Sequence, residues 1–486
     1  MDFSSIWEQV KANDNFSFGV ITVVSICTLL LIANVLRRKI PVFRRALMPT
    51  AVIAGLLGLL IKEVVLAVFG INIFNEITLG GIVYHSLSIA FIALCLREKN
   101  NYSKEFEKTE AIKERVPVLK SGSVHTSTML FQGIVGLIIT IFLGLTFMPE
   151  LNMGTGIILP LAYGQGPQQA RAAGYIWDMA RIMAPWGEGS GQNYGLTIAA
   201  FGFIWASIPG IILVNMIAKK RGISRNRNEF QKSGELNSYK IEGSDEVPLS
   251  ESIDKFSLQV CMVGGVYLIT IGLIIGIDIL FRTTGSAFLI DLIPIFWGFA
   301  FMIAVLVAII TKMVLRRLIK VGIMHRKYPN NYMMNRISGV AFDLSITSAL
   351  ALISVTVLGV LWIPVLIIST IGGLANIFYL RWITGIVYKG YKDEAFLGFY
   401  GMLTGTIANG MILVREIDPN FETPTGDDLV LASSGSVLLG SPLLLLIPMA
   451  PNNPLLVSLI ILGYFSLLTF YQLKGVLFKR KSALKS

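Results

Sequence analysis

The sequence predicts an all-α polytopic membrane protein of about 11 transmembrane helices in two inverted-topology repeats, each with a re-entrant, glycine-rich broken segment. Three observations carry that expectation. The chain is 54% hydrophobic and only 15% charged, whereas a soluble domain carries roughly a quarter charged residues. Apolar runs of about 20 residues, the length that crosses a bilayer as helix, recur from end to end. Lys and Arg gather in alternate connections, as they do when basic loops stay in the cytoplasm.

The amino-terminal flank MDFSSIWEQVKANDN is net acidic, and the apolar run from Phe18 to Leu36 is too long for a signal core. It ends at RRK rather than at a small-residue cleavage site, which makes it the first span. Candidate spans lie at about 17–36, 48–69, 80–96, 126–147, 193–217, 257–281, 288–311, 338–359, 364–386, 429–449 and 454–474. Two further segments, near 155–170 and 394–415, are apolar but crowded with glycine and polar residues.

Residues 37–46 hold Arg37, Arg38, Lys39, Arg44 and Arg45 with no acid, and residues 312–336 hold seven Lys or Arg. The connections near 70–79, 148–154, 282–287 and 450–453 hold almost none. This alternation puts the amino terminus outside and the basic loops in the cytoplasm, provided both glycine-rich segments enter and leave on one side. Residues 416–428 dissent mildly, with five acids (Glu416, Asp418, Glu422, Asp427, Asp428) on the cytoplasmic side. Acids weigh little in orientation, and the basic tail (Lys474, Lys479, Arg480, Lys481, Lys485) favours the cytoplasm.

The chain then divides into a first repeat at 1–217, a cytoplasmic polar linker at 218–256, a second repeat at 257–449, and an extra final span with a basic tail at 450–486. The match VLRR at 35–38 and 314–317 does not support the repeat, because those spans are not equivalent. The net charge of +11 sits in the connections, so it speaks for topology and anionic lipid headgroups rather than nucleic acid. Cys27, Cys95 and Cys261 lie in apolar runs and read as small buried hydrophobes. His85, His125 and His325 are scattered, which gives no zinc spacing and no catalytic pair for a membrane-embedded enzyme. No enzyme and no organic cofactor is expected.

In hydrocarbon, irregular backbone survives only where protein covers it or it lines a cavity. A broken helix exposes N–H groups at one new end, suited to an anion, and carbonyls at the other, suited to a cation. The first break, GTGIILPLAYGQGPQQAR, offers Gly164 and Gly166 for close approach, with Gln165, Gln168 and Gln169 as amide partners. The second, GFYGMLTGTIANGMILVRE, offers Gly401, Thr404, Gly405, Thr406, Asn409 and Gly410. Arg171 and Arg415 end the two breaks and have the geometry to grip a carboxylate. The alternative is that they snorkel to headgroups or pair with Asp178, Glu188 or Glu416. Asp343 lies within a span and, with Ser345 and Thr347, offers oxygens to a small hard cation; its alternative is a pair with Arg336. The run GYIWDMARIMAPWG reads as an interfacial helix with Trp177 and Trp186 at headgroup level.

The chain resembles the bacterial sodium/glutamate symporter family. The likeness rests on RRKIPVFRRALMPTAVIAGLLGLLI, on LPLAYGQGPQQARAAGYIWD followed by AFGFIWASIPGIILVN, and on FLGFYGMLTGTIANGMILVRE. The resemblance implies two inverted halves with re-entrant segments, sodium-coupled uptake of glutamate across the bacterial cytoplasmic membrane, and homodimers that move a transport domain against a scaffold. Gly164 and Gly166 match the glycines of its first motif; Gly401, Gly405, Thr406, Ala408 and Asn409 fall on its second. Sodium would be held by Asp343, Thr347 and Asn409. The chain departs from the pattern in PQQ after the first glycines, in Arg415, in its long linker and in its extra final span. Another carboxylate, a hydroxy- or dicarboxylic acid, stays open as the substrate.

Overall fold

A computed structural model describes residues 15–41, 43, 47–97, 116–187, 189–222, 255–324, 329–419 and 422–483. The expectations for the amino-terminal flank, for Arg44, Arg45, Glu188, His325 and Lys485, and for most of the linker lie outside the described residues. Among the described residues the protein is all α-helix with short 3-10 turns and no strand. In chain order the helices are α1 (Asn15–Lys39), α2 (Thr50–Phe69), α3 (Glu76–Leu96), α4 (Val118–Thr146), α5 (Leu159–Gly164), α6 (Pro167–Met179) and α7 (Ser190–Arg221). Then follow α8 (Lys255–Thr284), α9 (Ala287–Gly298), α10 (Ala300–Lys320), α11 (Asn331–Ala351), α12 (Val355–Val387), α13 (Lys392–Thr404), α14 (Ile407–Arg415), α15 (Thr425–Leu446) and α16 (Pro454–Ala483).

Eight of these helices are long and apolar enough to cross a bilayer, or nine counting the α9–α10 pair as one bent span. This is a multi-span helical membrane protein. Two further predicted spans form helices of 21 and 22 residues, α11 and α15, but Arg336 and Asp343 in one and Asp427 and Asp428 in the other lower their apolarity. Two boundaries differ from expectation. The span expected to run straight through 288–311 is bent by 66° between Gly298 and Ala300. The helix expected at 338–359 ends at Ala351, and α12 starts at Val355 with Pro364 carried inside it.

The ends are tied down locally, because each helix terminus leaves orphan backbone groups that lipid cannot satisfy. Asn75 and Asn330 accept from the Thr78 and Met333 N–H groups, each at 3.1 Å, at the starts of α3 and α11. Lys62, inside the apolar α2, is 3% exposed and donates to the Ile353 carbonyl at 2.6 Å.

Two packed groups make up the described chain. One holds α1, α2, α3, α8, α9, α10 and α11; the other holds α4, α7, α12, α15, α16 and the two interrupted segments. Their contacts are reciprocal: α2 lies on α11 as α10 lies on α3, α1 on α2 as α8 on α10, and α4 on α15 as α12 on α7. Burial grades outward, from 61% of the spanning window of α4 to 17% of that of α16.

Both interrupted segments are hairpins. Asn152, before α5, donates to the Pro451 carbonyl, and Trp177, late in α6, donates to the Ile447 carbonyl at 3.2 Å, so both ends of the first lie on one turn. In the second, Gly398 of α13 packs on Val414 of α14 and on Thr425 and Leu429 of α15. An ionic cluster holds its start: Arg221 donates to Asp393 at 2.8 Å and to Glu394 at 2.5 Å, and Arg381 donates to Asp393 at 2.5 Å.

Trp177 therefore does not face lipid headgroups as an exposed anchor: it is fully buried, its indole N–H aimed at the end of α15, while Trp186 is half-buried. Nor are all cysteines buried. Cys27 and Cys261 are free thiols on exposed helix faces, and Cys95 is half-buried. The first hairpin crosses α4 so closely that a Cβ on Gly136 would overlap the Gly156 carbonyl, whereas one on Gly264 meets nothing within 4 Å. We predict that Gly136→Val lowers the thermal midpoint of the detergent-purified protein, by about 1–3 kcal/mol of stability from overpacking, while Gly264→Val leaves it unchanged.

Candidate functional site

The two hairpins meet tip to tip. In the first, α5 stops at Gly164 and α6 starts at Pro167. The chain turns there because Gly166 sits at φ +98°, a left-handed conformation that glycine adopts without steric penalty. Pro167 then opens α6 without an N–H that needs a partner. In the second, α13 ends at Thr404, Gly405 and an extended Thr406 follow, and α14 starts at Ile407.

Neither α6 nor α14 has a side chain hydrogen-bonded to cap its amino end. Thr and Asn are ordinary capping residues. Here, however, the Thr406 hydroxyl donates to the Asn409 side-chain oxygen at 2.8 Å, and the first-turn N–H groups of α14 are left without that cap. Each such end carries roughly half a positive charge and suits an anion.

Contacts fix the tips against each other. A Cβ on Gly164 would lie 3.3 Å from the Leu403 side chain, and one on Gly202 of α7 would lie 2.6 Å from the Thr404 carbonyl and 3.0 Å from the Tyr163 ring. The Leu403 carbonyl, which loses its helical partner at the break, accepts instead from Gln132 Nε2 of α4 at 2.8 Å and from Asn376 Nδ2 of α12 at 3.3 Å. The outer oxygens of both amides are buried without a partner among the described residues. Gln132 and Asn376 escaped the sequence reading; their signal was a lone amide inside an apolar run, which is expensive unless it has a task.

The structure thus brings Gly164, Gln165, Gly166, Thr404, Gly405, Thr406 and Asn409 to one place. Gln168 and Arg171 follow within a turn and line a cavity of about 420 Å³ between α6, α3 and the α9–α10 bend. Asp178 does not pair with Arg171 there; its carboxylate accepts the Gly191 and Gln192 N–H groups at 2.7 and 3.1 Å, which caps α7.

Arg415 is not at the site. It ends α14 with its side chain exposed on the protein surface, about 12 Å along the helix from Ile407 at 1.5 Å per residue. The expected sodium ligands are not assembled either. Asp343 is exposed on α11, the Thr347 hydroxyl donates to the Ala51 carbonyl at 3.2 Å, and Asn409 is engaged at the second break. Ser345 likewise ties α11 to α3 through the Val83 carbonyl. The alternative partner for Asp343 is otherwise placed, since Arg336 donates to the Tyr332 hydroxyl at 3.2 Å. Among the described residues no group of three His, Cys, Asp or Glu has metal-holding geometry.

No family model, no curated protein and no solved structure matches the chain.

A carbonyl with two lone pairs tolerates the loss of one donor better than the loss of both. Gln132→Leu and Asn376→Leu should therefore each lower the thermal midpoint modestly. The double variant should lose about 1–3 kcal/mol beyond their sum, the desolvation penalty of an orphaned buried carbonyl.

Proposed function

We propose that the protein is a secondary active carrier that moves a small carboxylate across the membrane with sodium, by alternating access. The observation that supports it best is the meeting of two interrupted helices with uncapped amino ends inside a multi-span bundle. Paired breaks of this kind place anion-binding N–H groups and cation-binding carbonyls near the bilayer midplane. A sodium ion on the carbonyl and hydroxyl oxygens there, including those of Thr406 and Asn409, would offset the cost of bringing an anion to that depth.

The reciprocal packing of helices supports reading 1–217 and 257–449 as inverted repeats, and the hairpins support re-entrance from opposite faces. In this topology the amino terminus is outside, and residues 218–256 and the carboxy terminus are cytoplasmic. Glutamate as substrate, a bacterial cytoplasmic membrane and a homodimer follow from the family resemblance. A different carboxylate is the second reading. It is favoured because no acid lines the cavity beside the first break, where the ammonium of an amino acid would want one.

Reconstituted protein should accumulate labelled carboxylate only with an inward sodium gradient. Asn409→Ala or Thr406→Val should cut the initial rate about tenfold, the loss of one oxygen ligand to the sodium ion at about 1.4 kcal/mol. Undiminished uptake without sodium, at zero and at imposed membrane potential, would contradict the coupling.

A further inference from the structure

We infer that the cavity between α3, α6 and the α9–α10 bend binds a monocarboxylate with an apolar body, held by Arg171. Only the claim that this ligand is cargo rests on the carrier function proposed above; the binding site stands on its own geometry. The cavity lies at the seam of the two helix groups. Its mouth is marked by Ile77, 88% exposed, and Tyr175, 38% exposed, and its inner wall by Gln168 at the first break.

Arg171 has no acidic partner within hydrogen-bonding reach among the described residues. Its Nη1 donates to the Gly80 carbonyl at 3.3 Å, and its Nε is buried with no partner. Two more donors on the cavity wall are in the same condition: the Ser88 hydroxyl, on a residue 1% exposed, and the buried Tyr84 hydroxyl. Asp178 attracts Arg171 only from beyond hydrogen-bonding reach, its carboxylate being held by the Gly191 and Gln192 N–H groups, and a half-buried guanidinium without a paired carboxylate is disfavoured. A carboxylate supplies that charge through parallel hydrogen bonds and has lone pairs left for both hydroxyls.

The rest of the wall selects the body. Val83, Leu87, Trp297 and Phe301 are apolar or aromatic, and no Asp, Glu, Lys or second Arg lines the space. An amino acid would bring an ammonium with no acid to meet it, and a dicarboxylate a second charge with no cation. The bend between Gly298 and Ala300 shapes this wall. Gly298 packs against Ile176, 3.2 Å from where its Cβ would stand, while Trp297 is steered by a 2.9 Å hydrogen bond to Asp278.

The test is calorimetric titration of the full chain in lipid nanodiscs with 3-phenylpropanoate and with its uncharged amide, 3-phenylpropanamide. The acid should bind at least about tenfold tighter than the amide. Arg171→Gln should remove that preference and Arg171→Lys should restore part of it, since a lysine keeps the charge without the fork. Equal binding of acid and amide to the wild type would overturn the site, and that comparison needs no variant to fold. So would an undiminished preference in folded Arg171→Gln. Labelled uptake separates the two claims: binding without transport leaves the site and refutes the carrier, whereas sodium-driven glutamate uptake with no phenylpropanoate binding refutes the site and leaves the carrier.

Discussion

Backbone polar groups in hydrocarbon must find partners inside the protein, and this single constraint organises the structure. It allows long helices to face lipid freely, and it confines every interruption to a place where neighbours cover it. The Leu403 carbonyl is the clearest case. Its helical partner is lost at the second break, and two amides from separate helices, Gln132 and Asn376, arrive to replace it. Each would be a liability in an apolar helix on its own; together they make the interruption tolerable. The same logic accounts for Lys62, whose ammonium meets the Ile353 carbonyl.

With the Leu403 carbonyl of the second break met by two amide donors and the amino ends of α6 and α14 uncapped, the hairpin tips are electrically asymmetric. The positive ends are what an anion would find. One turn beyond the first tip, Arg171 adds a full charge, and it faces the seam between two helix groups that also meet along α7, where Leu196 and Phe203 pack with Val52 of α2, Val83 of α3 and Leu350 of α11. A ligand there would touch both groups at once. That is the position from which binding can bias their relative arrangement.

Much of the fold was legible in the sequence because a bilayer imposes a length and a polarity on each span. The two hairpins were legible because glycine, proline and amides are poor material for a spanning helix. What was not legible depends on which side of a helix faces protein. In lipid, apolarity no longer separates inside from outside, so Cys27 and Cys261 read as buried although they point outward. Trp177 read as an interfacial anchor from its amphipathic run, but its partner, the Ile447 carbonyl, lies in another part of the chain. Arg415 and Asp343 read as site residues from their place near a break or within a span. Helix length carries the first away from the tip, and helix rotation turns the second outward. The bend at Phe299 was signalled only by Pro294 and Gly298, whereas Pro364 sits in a helix that continues through it.

The central claim is that the paired breaks form a site where an anion and a cation bind together. Its most direct measurement is a thermal-shift screen of the purified full chain against small carboxylates, each in sodium and in potassium buffer. Ligand at about 100 times its dissociation constant adds roughly 2.7 kcal/mol of stability. At least one carboxylate should raise the midpoint in sodium and fail to do so in potassium. Absence of any carboxylate-dependent shift, or a shift of equal size in both buffers, would contradict it.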